Sequence, residues 1–329
     1  MDRSIVVALF VLLFPLSVNT LEAQQGKEVP RIGMLRFDNP RDPRSQGLTE
    51  AFRQGLRALG YREGENILIE YRYAEGRLDR FPSLAAELVA LAPAVIVTQG
   101  TPGTLAAKKA TGTIPIVVGG AGDLVGAGLV ATLARPGGNV TGSTNVDPEL
   151  SAKRLQLLRE ALPKVSRVAV LYHAGTGGDP EALKETLAAA VDLGIRIQQV
   201  PVEKPGQFQA AYAGIANERA DALVIFSSSF TLSHRKQLTD LAAKFRLPTM
   251  CGEASWSEDG GLISYGYDRE HQWQRAATFV DKILKGARPA DLPVEQPLQY
   301  NLVVNLRTAE TLKVRIPHSI MLRANKLIR

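Results

Sequence analysis

The chain has 329 residues, 39 Lys and Arg against 33 Asp and Glu, and a formal net charge of +6. The length favours two domains over one and allows a good buried core without covalent staples; a single cysteine, Cys251, excludes an internal disulfide. The basic residues are scattered and no aromatic-basic pattern interrupts them, which argues for a solvated basic surface and against a nucleic-acid partner.

The first 23 residues read as a secretory leader. Arg3 gives a short basic start, and Ile5 to Leu16 is an apolar core too short to span a bilayer. Cleavage is expected after Ala23, although Leu21 is larger than the small residue favoured three positions back. No cysteine lies nearby to take a lipid. A membrane anchor is the competing reading of the segment. No second long apolar run follows.

From there strands and helices alternate. Strands are expected at Arg31–Phe37, Asn66–Tyr73, Ala94–Gln99, Ile114–Val118, Val140–Val146, Arg167–His173, Ile195–Val202, Ala222–Ser227, Pro248–Gly252, Leu262–Gly266 and Leu298–Val304. Several are continuous Val/Ile/Leu runs, the pattern of strands covered on both faces. Between them Leu48, Phe52, Leu56 and Leu59 repeat at helical spacing, as do Leu155, Leu158 and Leu162. A short helix is expected over Leu124 to Ala134, opened by Asp123 after a glycine-rich run. The turn at Pro136, Gly137 and Gly138 suits a tight reversal. Cys251, in a strand-like segment, reads as a small buried hydrophobe. Alternation of this kind predicts an α/β fold of doubly wound parallel sheets, with the main boundary near residue 146.

In open parallel sheets ligands bind beyond the carboxyl ends of the strands. That rule selects Phe37 to Asn39, Gln99 to Thr104 and Gly119 to Asp123 in the first half. In the second it selects Tyr172, His173, Ser227 to Phe230 and Glu253 to Trp256. From these stretches the candidate ligand contacts are Phe37, Gln99, Thr101, Gly103, Thr104, Gly120, Asp123, Tyr172, Ser227, Ser228 and Glu253, with Tyr265 and Tyr267 at a crossing between the halves. Thr101 suits a helix N-cap and Pro102 the first helical position. The free N–H groups of such a helix start, with the Thr hydroxyls, suit an anionic group on a ligand; a plain helix cap explains the same residues. Asp123 caps a helix or accepts a bond from a ligand amine or hydroxyl. Phe37, Tyr172, Tyr265 and Tyr267 either stack on a flat ligand or pack in the core.

Catalytic patterns are weak. His173, His234, His271 and His318 have no metal-ligand spacing, and neither a GxSxG elbow nor a P-loop occurs. GGAG at 119–122 lacks the third glycine of a dinucleotide fingerprint. Ser227, His173 and Asp123 could be drawn as a triad, but any large α/β chain offers such a combination. No catalytic residue, metal or cofactor is expected.

A set of stretches recurs in order: RIGMLRF, LRALGYREGENILIEYRYAEG, ATGTIPIVVGGAGDLVGAGLV, LARPGGNVTG, LPKVSRVAVLYHA, VDKILKGARPADLPVEQP and NLVVN. Together they resemble the periplasmic substrate-binding proteins of ABC importers, in the branch that includes aromatic-amino-acid binders. The resemblance runs from about Arg31 to Ile316. It implies a type I binding-protein fold of two hinged lobes, crossed near Asn145–Pro148, Ser264–Asp268 and Val294–Gln299. Lobe 1 would comprise 30–145 plus 267–296, and lobe 2 146–266 plus 297–329. It implies a monomer that clamps a small organic solute, an amino acid or an aromatic or organic acid, and presents it to an inner-membrane permease. A separate soluble sensor uses the same fold, and a two-lobed α/β enzyme is the more distant alternative. Two departures stand out. The family usually has Pro after the Asp at position 123, where this chain has Leu124. Its amino-acid binders often carry an Asp, suited to an α-ammonium group, in the turn that here reads Ser227, Ser228, Ser229, Phe230; this counts against an amino-acid ligand unless Glu253 or Asp268 supplies the charge.

Overall fold

A computed structural model of the chain describes residues 29–145, 148–174, 180–297 and 299–329. The expected leader lies outside the described residues, as do Val146 and Leu298 at two expected strand ends.

The first sheet contains β1 (Arg31–Arg36), β2 (Leu68–Tyr73), β3 (Val95–Thr98), β4 (Ile116–Ala121) and β5 (Val140–Thr144) in the order β2-β1-β3-β4-β5. All its pairings are parallel. The second contains β6 (Arg167–His173), β7 (Arg196–Val202), β8 (Ala222–Ile225), β9 (Thr249–Cys251), β10 (Ile263–Tyr267), β11 (Tyr300–Asn305) and β12 (Lys326–Ile328), ordered β12-β11-β10-β9-β8-β6-β7. Both match the expected α/β architecture, with one exception of direction. β11 runs antiparallel to β10, because the chain enters it from the first sheet by a short crossing and not through a helix that returns it to the same end. The edge strand β12, three residues long, lies beyond the last expected strand.

Each sheet is covered on both faces, which explains the unbroken apolar runs. On one face of the first sheet Ile32, Met34, Val95 and Val97 pack with Phe52 and Trp273; on the other Leu35, Ile96 and Val118 pack with Phe81 and Leu88. The second sheet repeats the plan, Val168 and Val224 facing Leu155 and Leu158, and Leu171 and Ile225 facing Phe208 and Trp256. The helix Arg269–Leu284 follows β10 in the chain but packs on the first sheet, against the helix Pro43–Ala58. Gly55 makes that contact possible: a Cβ there would lie 2.6 Å from the Gln274 carbonyl and 2.8 Å from Ala277.

The chain passes between the sheets after β5, after β10, and again between Glu295 and β11. These segments lie side by side: Glu295 N–H donates to Gly142 O, Thr144 N–H to Glu295 O, and Asp268 N–H to Gln299 O.

The expected helix over Leu124 to Ala134 is instead a run of turns. The Asp123 carboxylate accepts from Val125 N–H at 2.9 Å, as a cap would. Glycines at 126 and 128, the latter with φ +66, then let the chain turn before a second helical turn forms. The reversal at Pro136–Gly138 is as expected, and Gly137 has φ +75. Asn139 closes it by donating to the Thr111 and Ile114 carbonyls, and Thr141 Oγ1 donates to Leu292 O. The most recognisable motif of the sequence is therefore a clasp between strand starts and the returning chain.

Candidate functional site

The carboxyl ends of β1, β3 and β4 face those of β8 and β9 across the boundary between the two sheets. Contact across that boundary is direct. A Cβ on Gly100 would lie 3.4 Å from Ser229 Oγ, so the first turn of the helix Gly100–Ala110 meets the first turn of Ser229–Ser233.

On the first side, Phe37 is buried against Phe81, ring centroids 6.0 Å apart. The helix Gly100–Ala110 has Gln99 as its N-cap, with no side-chain cap bond. The expected cap at Thr101 thus sits two residues too late, because the positive φ of Gly100, +72, begins the helix earlier. Its first N–H groups keep no side-chain acceptor, and the Gln99 side-chain oxygen is buried without a partner. Thr101 Oγ1 lies 3.6 Å from where a Cβ on Gly122 would be, which brings the β3 and β4 ends together beside Asp123.

Two neighbours turn inward. Thr104 is fully buried; its hydroxyl donates to Gly100 O at 2.8 Å and lies 2.8 Å from Thr98 Oγ1. One helical turn after Gly100, it is carried back over the strand, so its hydroxyl is spent inside the lobe. Gly103 is packed under Phe81, a Cβ there lying 3.2 Å from the ring. Its role is close helix packing.

On the second side, Ser228 caps Ser229–Ser233, accepting from Thr231 N–H at 3.1 Å. Ser227 is exposed, its hydroxyl 2.8 Å from where a Cβ on Gly252 would stand. Glu253 pairs with Arg269 at 2.7 Å, the link between β9 and the helix that crosses to the first sheet. Tyr172 points to the other face of its sheet, near Phe226 and the Gln199 side chain, because alternate residues of a strand face opposite ways. Tyr265 stacks on Tyr300 at 6.0 Å, and Tyr267 lies 5.6 Å from the same ring; the three form one aromatic patch on the β10–β11 pair.

Several polar groups here escape the strand-end rule. Gln272, buried on the crossing helix, donates to Asn145 Oδ1 at 2.5 Å and keeps its own oxygen unpartnered beside Gly120. Arg36 is fully buried, bonded to Asp38 and Thr49 and lying 4.4 Å over the Trp273 ring. Arg154 is buried and donates to Tyr265 O at 2.7 Å. At one edge of the boundary Arg44 meets Asp259 and Arg235 meets Asp42. Burial pulls the Asp42 carboxyl upward, but the Arg44 amide and the Arg235 guanidinium outweigh it and hold the group below its usual range. Extending the strand-end rule by one helical turn would have reached Asp42 and Arg44; nothing in the local sequence marks Gln272.

Neither ring nor carboxylate clusters suggest chemistry. Among the described residues no group of three or more His, Cys, Asp or Glu could hold a metal ion. Cys251 is fully buried, which pushes its thiol pKa up and keeps it protonated.

Two α/β lobes joined by three crossings, with strand ends facing across a boundary, define a two-lobed ligand-binding protein. The family model for ABC transporter substrate binding proteins matches residues 41–328, and the chain belongs to that family. It is 25% identical over 267 residues, 81% of this chain and 76% of the other, to a tyrosine-binding protein of Clostridioides difficile (strain R20291). It is similar to a conserved domain protein of Vibrio cholerae at 29% identity and TM-score 0.84, covering 91% of this chain and all of that one. A Streptococcus pneumonia ABC domain in complex with L-Trp superposes with TM-score 0.84 at 24% identity, covering 92% of this chain and all of that one. The activity of such a chain is binding, not catalysis. Among the described residues no helix is long and apolar enough to cross a membrane.

Proposed function

We propose that the chain captures a free amino acid with a flat, apolar side chain, outside the cytoplasm, and delivers it to an ABC permease. The observation that carries this reading is the state of charge in the cleft. Asp38, Asp42, Arg44, Arg235, Glu253, Asp259 and Arg269 are all ion-paired. Asp123 is exposed and pairs with no cation among the described residues, and its neighbour Gly122 abuts Thr101 at the uncapped start of the helix Gly100–Ala110. A zwitterion answers both features: its ammonium meets Asp123, and its carboxylate meets the helix N–H groups. A simple anion would be opposed by Asp123. Asp123 thus takes the role that an Asp in the Ser227–Ser229 turn plays in the family's amino-acid binders. Phe37, at the end of β1 and backed by Phe81 in the core, offers an apolar contact, and the relatives bind tyrosine and L-Trp, which supports an aromatic side chain. Gly120, Ser227 and Thr101 line the remainder.

The experiment is calorimetric titration of the mature chain with L-tryptophan, L-tyrosine and L-phenylalanine, each beside its deaminated acid and its decarboxylated amine. The amino acids should bind, and both truncated forms should lose at least about tenfold, equivalent to about 1.4 kcal/mol. Equal binding of acid and amino acid would remove Asp123 from the site, and no heat with any of them would move the reading to another solute class.

A further inference from the structure

We infer that one edge of the interlobe boundary carries an electrostatic latch, the alternating chain Asp42–Arg235–Asp259–Arg44, which favours the closed form without touching the solute. Asp42 and Arg44 open the helix Pro43–Ala58 on the first lobe. Arg235 opens the helix Arg235–Lys244, and Asp259 ends Ala254–Glu258, both on the second. Arg44 grips Asp259 with both terminal nitrogens, at 2.7 and 2.5 Å. Arg235 donates to Asp42 at 3.0 Å and lies 2.8 Å from Asp259. Glu258 extends the chain, 3.5 Å from Arg44 and 2.8 Å from Lys326. The two cross-lobe pairs join residues 215 and 193 positions apart.

Surface ion pairs usually contribute little because two long side chains must be ordered to make them. Here the ordering is largely done within each lobe. The second Asp42 oxygen is fixed by the Arg44 N–H at 3.0 Å. Arg235 is held by Leu232 O at 3.1 Å. Asp259 is held through its backbone, its carbonyl accepting from Thr239 Oγ1 at 2.8 Å and its N–H bonded to Ser255 O. The four side chains are only 18 to 27% exposed, so salt screens them less than open surface pairs. Separation leaves one cation and one anion on each lobe, and Arg235 and Asp259 still face each other. No uncompensated charge appears on opening, so the latch can bias closure and still release. Because none of the four belongs to the proposed solute contacts, its effect on affinity runs through the fraction of closed protein.

The test needs no solute, so it stands or falls separately from the amino-acid reading. Spin labels on Glu65→Cys and Lys184→Cys, one on each lobe, report the interlobe distance in the ligand-free chain; buried Cys251 does not label. Wild type should show a short-distance population that shrinks as salt rises from about 0.05 M to about 1 M, where the screening length falls to ~3 Å. The double variant Arg44→Gln, Arg235→Gln should show the long distance throughout, the short population reduced at least about threefold at low salt, with an unchanged melting temperature. Arg44→Lys should fall between the two, since it keeps the charge and loses the two-pronged grip. A wild-type distribution that ignores salt overturns the latch without any variant, and so does a double variant that matches wild type at low salt.

Discussion

Inside the cleft Gly100 and Ser229 approach with no charge between them, and the polar groups nearby are single oxygens left unpartnered, on Gln99 and Gln272. At the edge, four charged side chains are each ion-paired with another of the four, although Arg235 Nε has no hydrogen-bond partner. Unpartnered groups in a buried place are costly unless something arrives to bond them. Charges already paired at an edge need no solute to neutralise them. On the proposed reading the interior recognises and the edge closes, and the two can be altered separately.

The largest effect tests whether the second sheet tolerates any bulk between β9 and β10, beside the boundary. Gly266 in β10 faces the Gly252 carbonyl so closely that a Cβ would overlap it. Gly266→Ala should lose at least about 3 kcal/mol of stability in urea denaturation, the scale of a severe backbone clash. A normal denaturation midpoint would show that β9 and β10 can part without penalty.

Next is Asp123→Asn, which keeps the turn's shape because an amide oxygen still accepts from Val125 N–H. Binding of the amino acid should weaken at least about tenfold with the melting temperature unchanged. Thr104→Val makes the converse prediction. It removes the bond to Gly100 O and leaves Thr98 unpaired, so stability should fall by about 1–3 kcal/mol while affinity per folded molecule holds. If Thr104→Val weakens binding more than it destabilises the fold, the hydroxyl reaches the solute and the division between interior contact and support has been drawn in the wrong place.

The smallest effect is in pH. Burial raises the Asp221 carboxyl, but the Ser166 and Arg167 amides and the Ser166 hydroxyl, 2.8 to 3.0 Å away, outweigh it and hold its pKa below the usual value. Asp42 is depressed in the same direction. A depressed carboxyl contributes stability that is present above the unfolded value, about 3.9, and is lost as pH falls through the lower folded value. Melting temperature should therefore drop on acidification below about pH 4, and less steeply in Asp221→Asn. Equal slopes would mean that Asp221 ionises alike in both states.

How much of this was legible depended on the range of the interaction. β1, β3 and β6 were readable because a strand buried on both faces must be apolar throughout. The turn at Pro136–Gly138 was readable because its dihedral angles demand glycine. The reversal of β11 was not, since alternation of elements carries no direction once a chain leaves its sheet. The missed break in the stretch after Asp123 has a local cause: an apolar pattern favours a helix, and the glycines at 126 and 128 oppose it. At the proposed site, the strand-end rule picks Phe37, Gln99, Thr101 and Asp123, which the fold carries to the boundary, but whether a residue faces out or in is decided by one turn of helix for Thr104 and one step of strand for Tyr172. Gln272 and the Arg44–Asp259 pair depend on contacts 127 and 215 residues apart, which no local window contains.

The helix Arg269–Leu284 has a consequence for the order of assembly. Trp273, Ala276, Phe279 and Val280 complete the apolar face formed by Ile32, Met34 and Phe52, and the clasp at Thr141 is closed by Leu292. The half of the chain that is made first is thus finished by residues made near the end. The second sheet can gather β6 to β10 from an uninterrupted stretch, whereas the first must wait with one face open until some 150 later residues have emerged. Long-range closure of this kind slows folding and prolongs the exposure of apolar surface. The nascent first lobe is for most of its synthesis a sheet lacking part of its cover, and it is in that interval, more than in the finished protein, that aggregation or a chaperone would meet it.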